Sequence, residues 1–185
     1  MEDAVSMEHQ PHHEQHHHSK DEHAGKGANL QLIVFKLAGE EYAMLIDQIK
    51  EVVITPKIAR VPLTPKYIRG VANIRGNILA IIDLVERFAL ETNLNLENQA
   101  TANFTLVVES DEYKMGILVK DVPNTLSVYE ADIDNSPSII NDNSGVDNNY
   151  IKGIVKSGSR MIVLIDVHKV INKDEIHRLI KEKSA

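Results

Sequence analysis

Cysteine is absent from the 185-residue sequence, which excludes disulfides, thiolate nucleophiles and cysteine-ligated metal centres. Tryptophan is absent too, and aromatic residues make up only 4% of the chain. Lys and Arg number 20 against 27 Asp and Glu, which gives a formal net charge of −7. Because nucleic-acid-binding proteins normally present basic stripes interleaved with stacking aromatics, this composition disfavours that class.

Long apolar runs are also missing. The longest, Ile78 to Ile82, has the length of a strand, whereas a membrane-spanning helix needs about 20 apolar residues. The polar N-terminus lacks the apolar core of a signal peptide. With 43% apolar residues, the chain can still bury a core. We therefore expect a soluble, cytoplasmic protein of one domain or two small ones.

Residues 1–29 form a tail that holds seven of the nine histidines and has no sustained apolar period. Such a stretch cannot bury enough surface to offset its ordering entropy, so we expect it to be disordered. Its clustered imidazoles could bind nickel, copper or zinc, and a metal-binding protein acting through this tail is the alternative function. Adjacent histidines without a fold favour a solvated linker instead. We predict no metal site and no cofactor.

From Leu30 onward the pattern predicts a mainly-β protein, because short β-branched and apolar runs alternate with turn residues. A short helix is expected to begin after Asp83 and to end near Phe88, and a second helix is expected at about 174–183. The predicted strands are Leu30 to Leu37, Tyr42 to Ile46, Ile49 to Ile54, Tyr67 to Ile74, Ile78 to Ile82, Phe104 to Glu109, Tyr113 to Val119, Val122 to Tyr129, Tyr150 to Val155 and Met161 to Ile165.

An internal repeat is the most informative feature. Residues 67–84 align without gaps to residues 150–167, with Tyr, Ile, Gly and Asp recurring in place at a spacing of 83 residues. Tyr42 against Tyr113 weakly extends the match upstream. Each copy would hold about five short strands, which suits a small barrel. Because a unit of this size is marginally stable by itself, we expect the two to share an apolar interface.

No catalytic motif accompanies this pattern. Asp83 and Asp166 occupy matching repeat positions, but each comes where a strand gives way to a polar or helical segment, which is typical of a helix cap. His168 and His177 lack a metal-ligand spacing and are expected at the surface. Nucleotide-binding and nucleophile-elbow motifs are missing from the sequence. We therefore predict that the protein is not an enzyme.

Two short segments remain that look functional by their location. Asn73-Ile-Arg-Gly76 places Arg75 in a tight turn before a glycine. Ile49-Lys-Glu-Val52 is a strand with one charged edge. In isolation, a solvated hairpin arginine and a structural strand are open alternatives for these two segments.

These segments together resemble the chemotaxis coupling proteins of the CheW family, whose domain also forms the regulatory domain of the histidine kinase CheA. The resemblance runs from about Leu30 to the C-terminus. It is carried by Asp47-x-Ile-x-Glu-Val52, Tyr67-Ile-Arg-Gly-Val71, Asn73-Ile-Arg-Gly76, Ile82-Asp-Leu84, Tyr150-Ile-Lys-Gly153 and Val163-Leu-Ile-Asp166. Ala80 departs from the family, which often has proline there.

The resemblance implies a fold of two five-stranded SH3-like barrels packed together. We expect a CheW-like domain at 30–185, with subdomains at about 30–89 and 103–170 and the C-terminal helix at about 174–183. It also implies a non-catalytic adaptor between the cytoplasmic hairpin tips of chemoreceptors and the regulatory domain of CheA, within receptor arrays at the inner face of the cell membrane.

The family's partner-contact positions match five residues of this chain. Ile49 and Glu51 are expected to form part of the kinase-facing edge. Arg75, supported by Gly70, is the expected receptor-proximal position, and Ile78 is its neighbour. Nucleic acid and membrane insertion are not implied.

Overall fold

The computed structural model describes residues 27–90, 104–110, 113–135 and 150–170. Within these ranges the chain forms eleven strands and two short α-helices. The strands are β1 Asn29–Leu37, β2 Glu40–Leu45, β3 Ile49–Ile54, β4 Ile68–Ile74, β5 Asn77–Ile82, β6 Phe104–Glu109, β7 Lys114–Val119, β8 Asn124–Tyr129, β9 Ile133–Asp134, β10 Ile151–Ser157 and β11 Arg160–Ile165. The helices are α1 Leu84–Arg87 and α2 Val167–Val170, and two 3-10 turns lie at Ile46–Gln48 and Glu130–Asp132.

The mainly-β class predicted from the sequence is confirmed, and every predicted strand has a counterpart. The runs of β-branched residues form strands because branched side chains pack well on a pleated, half-buried surface. Two elements were not predicted. The short strand β9 lies between the predicted strands that end at Tyr129 and begin at Tyr150, and α2 begins directly after Asp166. The predicted helix at 174–183, like most of the tail at 1–29, lies outside the described residues.

The strands make two sheets. The first, sheet A, has the order β8-β1-β2-β11-β10-β9, and the second, sheet B, has the order β3-β6-β7-β5-β4. All pairings are antiparallel except β2 with β11 and β5 with β7, which are parallel. The expected five-stranded unit thus appears twice, with the two-residue strand β9 added to sheet A.

The sheets do not divide at the predicted boundary between 30–89 and 103–170. The hairpin β1-β2, from the first half of the chain, pairs with β8 and β11 of the second half. The hairpin β6-β7, from the second half, pairs with β3 and β5 of the first. The two halves therefore exchange their N-terminal hairpins. The outer limits of the predicted domain remain a prediction.

The internal repeat is visible in the backbone. Asp83 N–H donates to the Tyr67 carbonyl at 2.8 Å, and Asp166 N–H donates to the Tyr150 carbonyl at 2.7 Å. β4 and β10 each carry an irregularity at the same repeat position, and α1 and α2 are also 83 residues apart. The repeat is therefore one of structure as well as of sequence.

The upstream extension of the repeat is displaced by two residues. Val163 pairs with Tyr42, whereas Ala80, its counterpart in the first copy, pairs with Met115 rather than with Tyr113. The turn between β6 and β7 is longer than the one between β1 and β2. In the structure, Tyr42 thus corresponds to Met115, two residues beyond the Tyr113 of the weak sequence match.

The largest buried cluster draws on both sheets, as the sequence predicted. It joins Phe35 and Met44 of sheet A to Ile82, Leu106 and Ile117 of sheet B, among others. Each sheet also has a smaller cluster of its own. Since complete burial of a large aliphatic side chain is worth about 1.5–3 kcal/mol, this shared core makes the two sheets one folded body.

Candidate partner-binding surface

The structure brings Glu51 and Arg75 into direct contact. Glu51 lies on β3 and Arg75 in the turn between β4 and β5, and β3 and β4 stand at opposite ends of the strand order of sheet B. Arg75 Nε is 2.6 Å from Glu51 Oε2, and the two side chains are 76% and 24% exposed. The ion pair therefore links the two ends of the sheet and leaves most of the arginine on the surface.

The turn geometry explains why an arginine stands here. Arg75 and Gly76 both have positive φ, +50° and +87°, as a two-residue hairpin turn of type I′ requires. The Asn73 side-chain oxygen accepts a hydrogen bond from Gly76 N–H at 2.9 Å. The tight turn predicted from Asn73 to Gly76 is present, and it lifts the arginine side chain clear of both strands.

Two further predicted contact residues are close to this ion pair in the sequence: Ile49 lies two residues before Glu51, and Ile78 lies three residues after Arg75. Ile49 is partly buried against the shared core, and a register shift after it separates it from Glu51, since Ile49 pairs with Val108 and Glu51 with Val107. Ile78 is 48% exposed and lies opposite Asn73 in the β4–β5 pairing. Of these two predicted contact residues, Ile78 is the one that exposes a large part of its apolar side chain, close to half.

Gly70 is buried, so its place in the site is to position β4. It has φ +137°, and a Cβ added there would lie 2.2 Å from the Ala59 carbonyl oxygen. Ala59 and Val71 exchange two backbone hydrogen bonds of 2.8 and 2.9 Å, which tie the loop after β3 to β4. Only glycine allows this close approach of two backbones.

Sequence reasoning missed two exposed apolar residues on the outer face of β3. Val52 is 42% exposed and Ile54 is 78% exposed. Along β3 these exposed residues alternate with the half-buried residues Glu51 and Val53. The available signal was the run Val52-Val-Ile54, which places apolar side chains on both faces of a strand.

Charge at this end of sheet B is mostly neutralised in pairs. Lys50 Nζ lies 2.8 Å from Glu109 Oε2, and Lys114 contacts the other oxygen of the same carboxylate. Hydrogen bonds from Lys114 and then from Lys50 lower the pKa of Glu109, and the bond to Glu109 raises the pKa of Lys50. The surface around the exposed apolar residues is thus polar without a large net charge.

The two repeated aspartates act as helix caps, as predicted. Asp83 Oδ1 accepts from Val85 N–H at 3.0 Å and from Glu86 N–H at 3.4 Å, and Asp166 Oδ1 accepts from His168 N–H at 3.1 Å. His168 was expected at the surface, but it is half-buried, and its Nδ1 lies 2.8 Å from the Tyr113 hydroxyl. His177 lies outside the described residues.

Among the described residues, no group of three or more His, Asp or Glu side chains is arranged to hold a metal ion. In that same part of the chain, no helix is long and apolar enough to cross a membrane.

Fold and surface together define a mainly-β module of two sheets, built from halves that exchange their N-terminal hairpins. An exposed ion pair and exposed apolar side chains lie at one end of sheet B. The chain belongs to the CheW-like domain family, whose model matches residues 31–175.

Two relatives and one solved structure support this membership. The chain is 29% identical over 164 residues to the chemotaxis protein CheW of Treponema pallidum, covering 88% of this chain and 94% of the relative. It is 34% identical over 145 residues to the chemotaxis protein CheW of Helicobacter pylori, covering 78% of this chain and 83% of the relative. The crystal structure of the scaffolding protein TtCheW from Thermoanaerobacter tengcongensis matches with 28% identity and a TM-score of 0.67, over 88% of this chain and 94% of that chain.

Proposed function

We propose that this protein is a non-catalytic adaptor that joins the cytoplasmic tips of chemoreceptors to the regulatory domain of the histidine kinase CheA. Membership of the CheW-like family supports the proposal, as do relatives named chemotaxis proteins and a solved relative described as a scaffolding protein. The observation that carries it is the Glu51–Arg75 ion pair, which stands exposed at the end of sheet B. The adaptor would work in receptor arrays at the inner face of the cell membrane.

The kinase-facing edge is proposed to be β3. Ile49 and Glu51 lie on this strand on either side of a register shift, and Val52 and Ile54 supply exposed apolar area. β3 stands at one end of the strand order of sheet B. Transient signalling contacts often bury less than about 1,200 Å², which a single strand edge and its neighbours can provide.

The receptor-proximal position is proposed to be Arg75, with Ile78 beside it. The guanidinium uses Nε for Glu51, so its other nitrogens remain able to donate to carboxylates or carbonyls of a partner. Ile78 adds an exposed apolar side chain at the start of the next strand. An arginine with one side held and the other open is suited to an oriented polar contact.

Such an adaptor needs no chemistry of its own. Two weak contacts on one rigid body hold their partners at a high effective concentration, so that assembly strengthens each of them. Signalling then follows from a difference in contact energy between kinase states.

Substitution of the ion pair tests the assignment. Arg75→Ala and Glu51→Lys are each expected to weaken binding to one of the two partners by about tenfold, equivalent to about 1.4 kcal/mol. The measurement is calorimetric titration against a receptor cytoplasmic fragment and against the kinase's regulatory domain. The partner that each variant loses shows which of them meets Arg75.

Two controls separate contact from support. Arg160→Ala removes an exposed arginine that is also paired with a glutamate, but in sheet A, and is expected to bind both partners normally. The swap Glu51→Arg with Arg75→Glu keeps an ion pair, so its thermal stability should match that of the parent while its binding stays weak. Normal binding by Arg75→Ala and Glu51→Lys would refute the site.

A further inference from the structure

Residues 52–82 carry an unusual concentration of positive charge. This stretch has no Asp or Glu, although the whole chain has a net charge of −7. Arg75 is neutralised by Glu51, and Arg69 lies 3.6 Å from Asp83. Lys57, Arg60 and Lys66 have no carboxylate partner among the described residues. The five basic residues of the stretch are Lys57, Arg60, Lys66, Arg69 and Arg75.

Three of these cations line one cavity. It has a volume of about 330 Å³ and lies between the loop after β3 and the start of β4. Arg60, Lys66 and Arg69 surround it, and Glu86 is the single carboxylate in its lining. We call it the basic cavity. Its position differs from that of the Glu51–Arg75 pair, since neither of those residues lines it.

The backbone holds the basic cavity in place. Arg60 follows Ala59 and Arg69 precedes Gly70, and Ala59 is hydrogen-bonded to β4 at Val71. Three prolines, at positions 56, 62 and 65, stiffen the loop between. Like charges held on adjacent backbone segments repel one another. An anion bound between them relieves this repulsion, and its binding costs little reorganisation because the charges are already in position.

Leu63, in the same loop, is an independent sign of a contact. It has φ +59°, in the left-handed region, and its side chain is fully exposed, with a relative accessibility of 106%. The left-handed conformation costs a branched residue about 1–2 kcal/mol, and exposure of leucine gains nothing in return. It stands between Val61 and Thr64, which both line the basic cavity.

We propose that the basic cavity and Leu63 form a docking surface for an acidic, amphipathic segment of a partner protein. Carboxylates of that segment would bind Arg60, Lys66 and Arg69, and an apolar side chain would pack on Leu63. The inference rests on the proposed function, because it gives the adaptor a further contact with one of its two partners. Small ligands are mostly enclosed by their pockets, whereas all three cations here are exposed, which favours a protein segment.

Charge reversal in the full chain tests the docking surface. The double variant Arg60→Glu with Lys66→Glu is expected to lose at least about tenfold in affinity for the receptor fragment or for the kinase's regulatory domain. Its remaining binding should depend less on salt than that of the parent, because fewer charge pairs are screened. Lys57→Glu is the control: it reverses one charge in the same loop, outside the cavity lining, and should bind normally.

Leu63→Asn separates binding from folding. Asparagine tolerates the left-handed conformation, so the melting temperature should stay the same or rise. Affinity for the same partner should fall severalfold because the apolar contact is lost. A merely structural leucine would leave the affinity unchanged.

The outcomes distinguish this inference from the proposed function. If the double variant binds both partners as the parent does while Glu51→Lys does not, the adaptor stands and the docking surface is refuted. If the parent binds neither partner, the adaptor is refuted, and a fluorescent helical peptide bearing Glu and Leu decides the inference by anisotropy. The docking surface is supported if the parent binds this peptide and the double variant does not. It is refuted if the parent does not bind the peptide, or if it binds a peptide with Gln in place of Glu equally well. Displacement of the peptide by equimolar inorganic phosphate also refutes it.

Discussion

Gly70 is the residue on which the loop after β3 depends. Its φ of +137° is accessible almost only to glycine, and the carbonyl oxygen of Ala59 occupies the space that a side chain would need. Because that oxygen belongs to a backbone hydrogen-bonded to β4, it cannot move aside without breaking the bridge.

Gly70→Ala is therefore expected to lower the free energy of unfolding by about 3 kcal/mol, from strain and a backbone clash together. Urea denaturation of the full chain measures it. Gly76→Ala is the matched control, since Gly76 has φ +87° but no atom within 4 Å of the added Cβ. It should lose only about 1 kcal/mol, from backbone strain. Equal losses in the two variants would contradict a steric role for Ala59.

Residue patterns predicted some contacts and not others. The caps at Asp83 and Asp166 and the turn at Arg75 were predictable because each depends on neighbours within three residues. The contact between Glu51 and Arg75 was not, because it depends on how the ends of sheet B approach one another. The resemblance to a family named both residues, but only the geometry shows that they touch.

At the scale of elements, alternation predicted the strands but not their partners. The alternation of apolar and polar residues predicts which face of a strand is buried, but it does not predict which strand lies beside it. The predicted subdomains at about 30–89 and 103–170 therefore did not indicate that β1 and β2 pair with β8 and β11 of the second half. β9 escaped notice because its two residues are too short for any alternation.

The exchanged hairpin β1-β2 is held to β11 partly by charge. Arg160 donates two hydrogen bonds of 2.8 Å to the carboxylate of Glu41, on β2. The hydrogen bond from Arg160 lowers the pKa of Glu41 below its ordinary value. A carboxyl with a lower pKa in the folded state contributes stability above its unfolded pKa and loses it as pH falls through the folded one.

Melting temperature should therefore fall as the pH drops through and below the ordinary glutamate range, about 4.3. Glu41→Gln is expected to flatten that fall, because the variant has no charge to lose at this position. Glu40→Gln, one residue earlier, should keep the parent's pH profile, because the two hydrogen bonds of Arg160 go to Glu41. Thermal melts between pH 3 and 7 compare the three proteins, and parallel profiles for all of them would refute the contribution of this pair.

At the scale of the whole molecule, neither half of the chain contains a complete sheet. Sheet A needs β1 and β2 from the first half, and sheet B needs β6 and β7 from the second. Arg87, on α1, also donates to the Val170 carbonyl at the end of α2, at 2.8 Å. The halves are joined through both their strands and their helices.

Separate production of residues 1–96 and 97–185 tests this exchange. Each fragment lacks the partner hairpin of its own strands, so each is expected to be unfolded by circular dichroism when it is alone. Mixing them should restore β structure with one-to-one stoichiometry, because the exchanged pairings need no covalent link. A fragment that folds by itself would show that the sheets can be completed within one half.

The shared core has a further consequence for the proposed adaptor. If each sheet could unfold by itself, a partly unfolded molecule would still bind one partner. It would then compete with intact copies for that partner. Because the hairpins are exchanged and the main core spans both sheets, calorimetry should show a single endotherm. Each copy of the proposed adaptor would then offer either both contact surfaces or neither, and damaged copies would not act as competitive inhibitors of the intact ones.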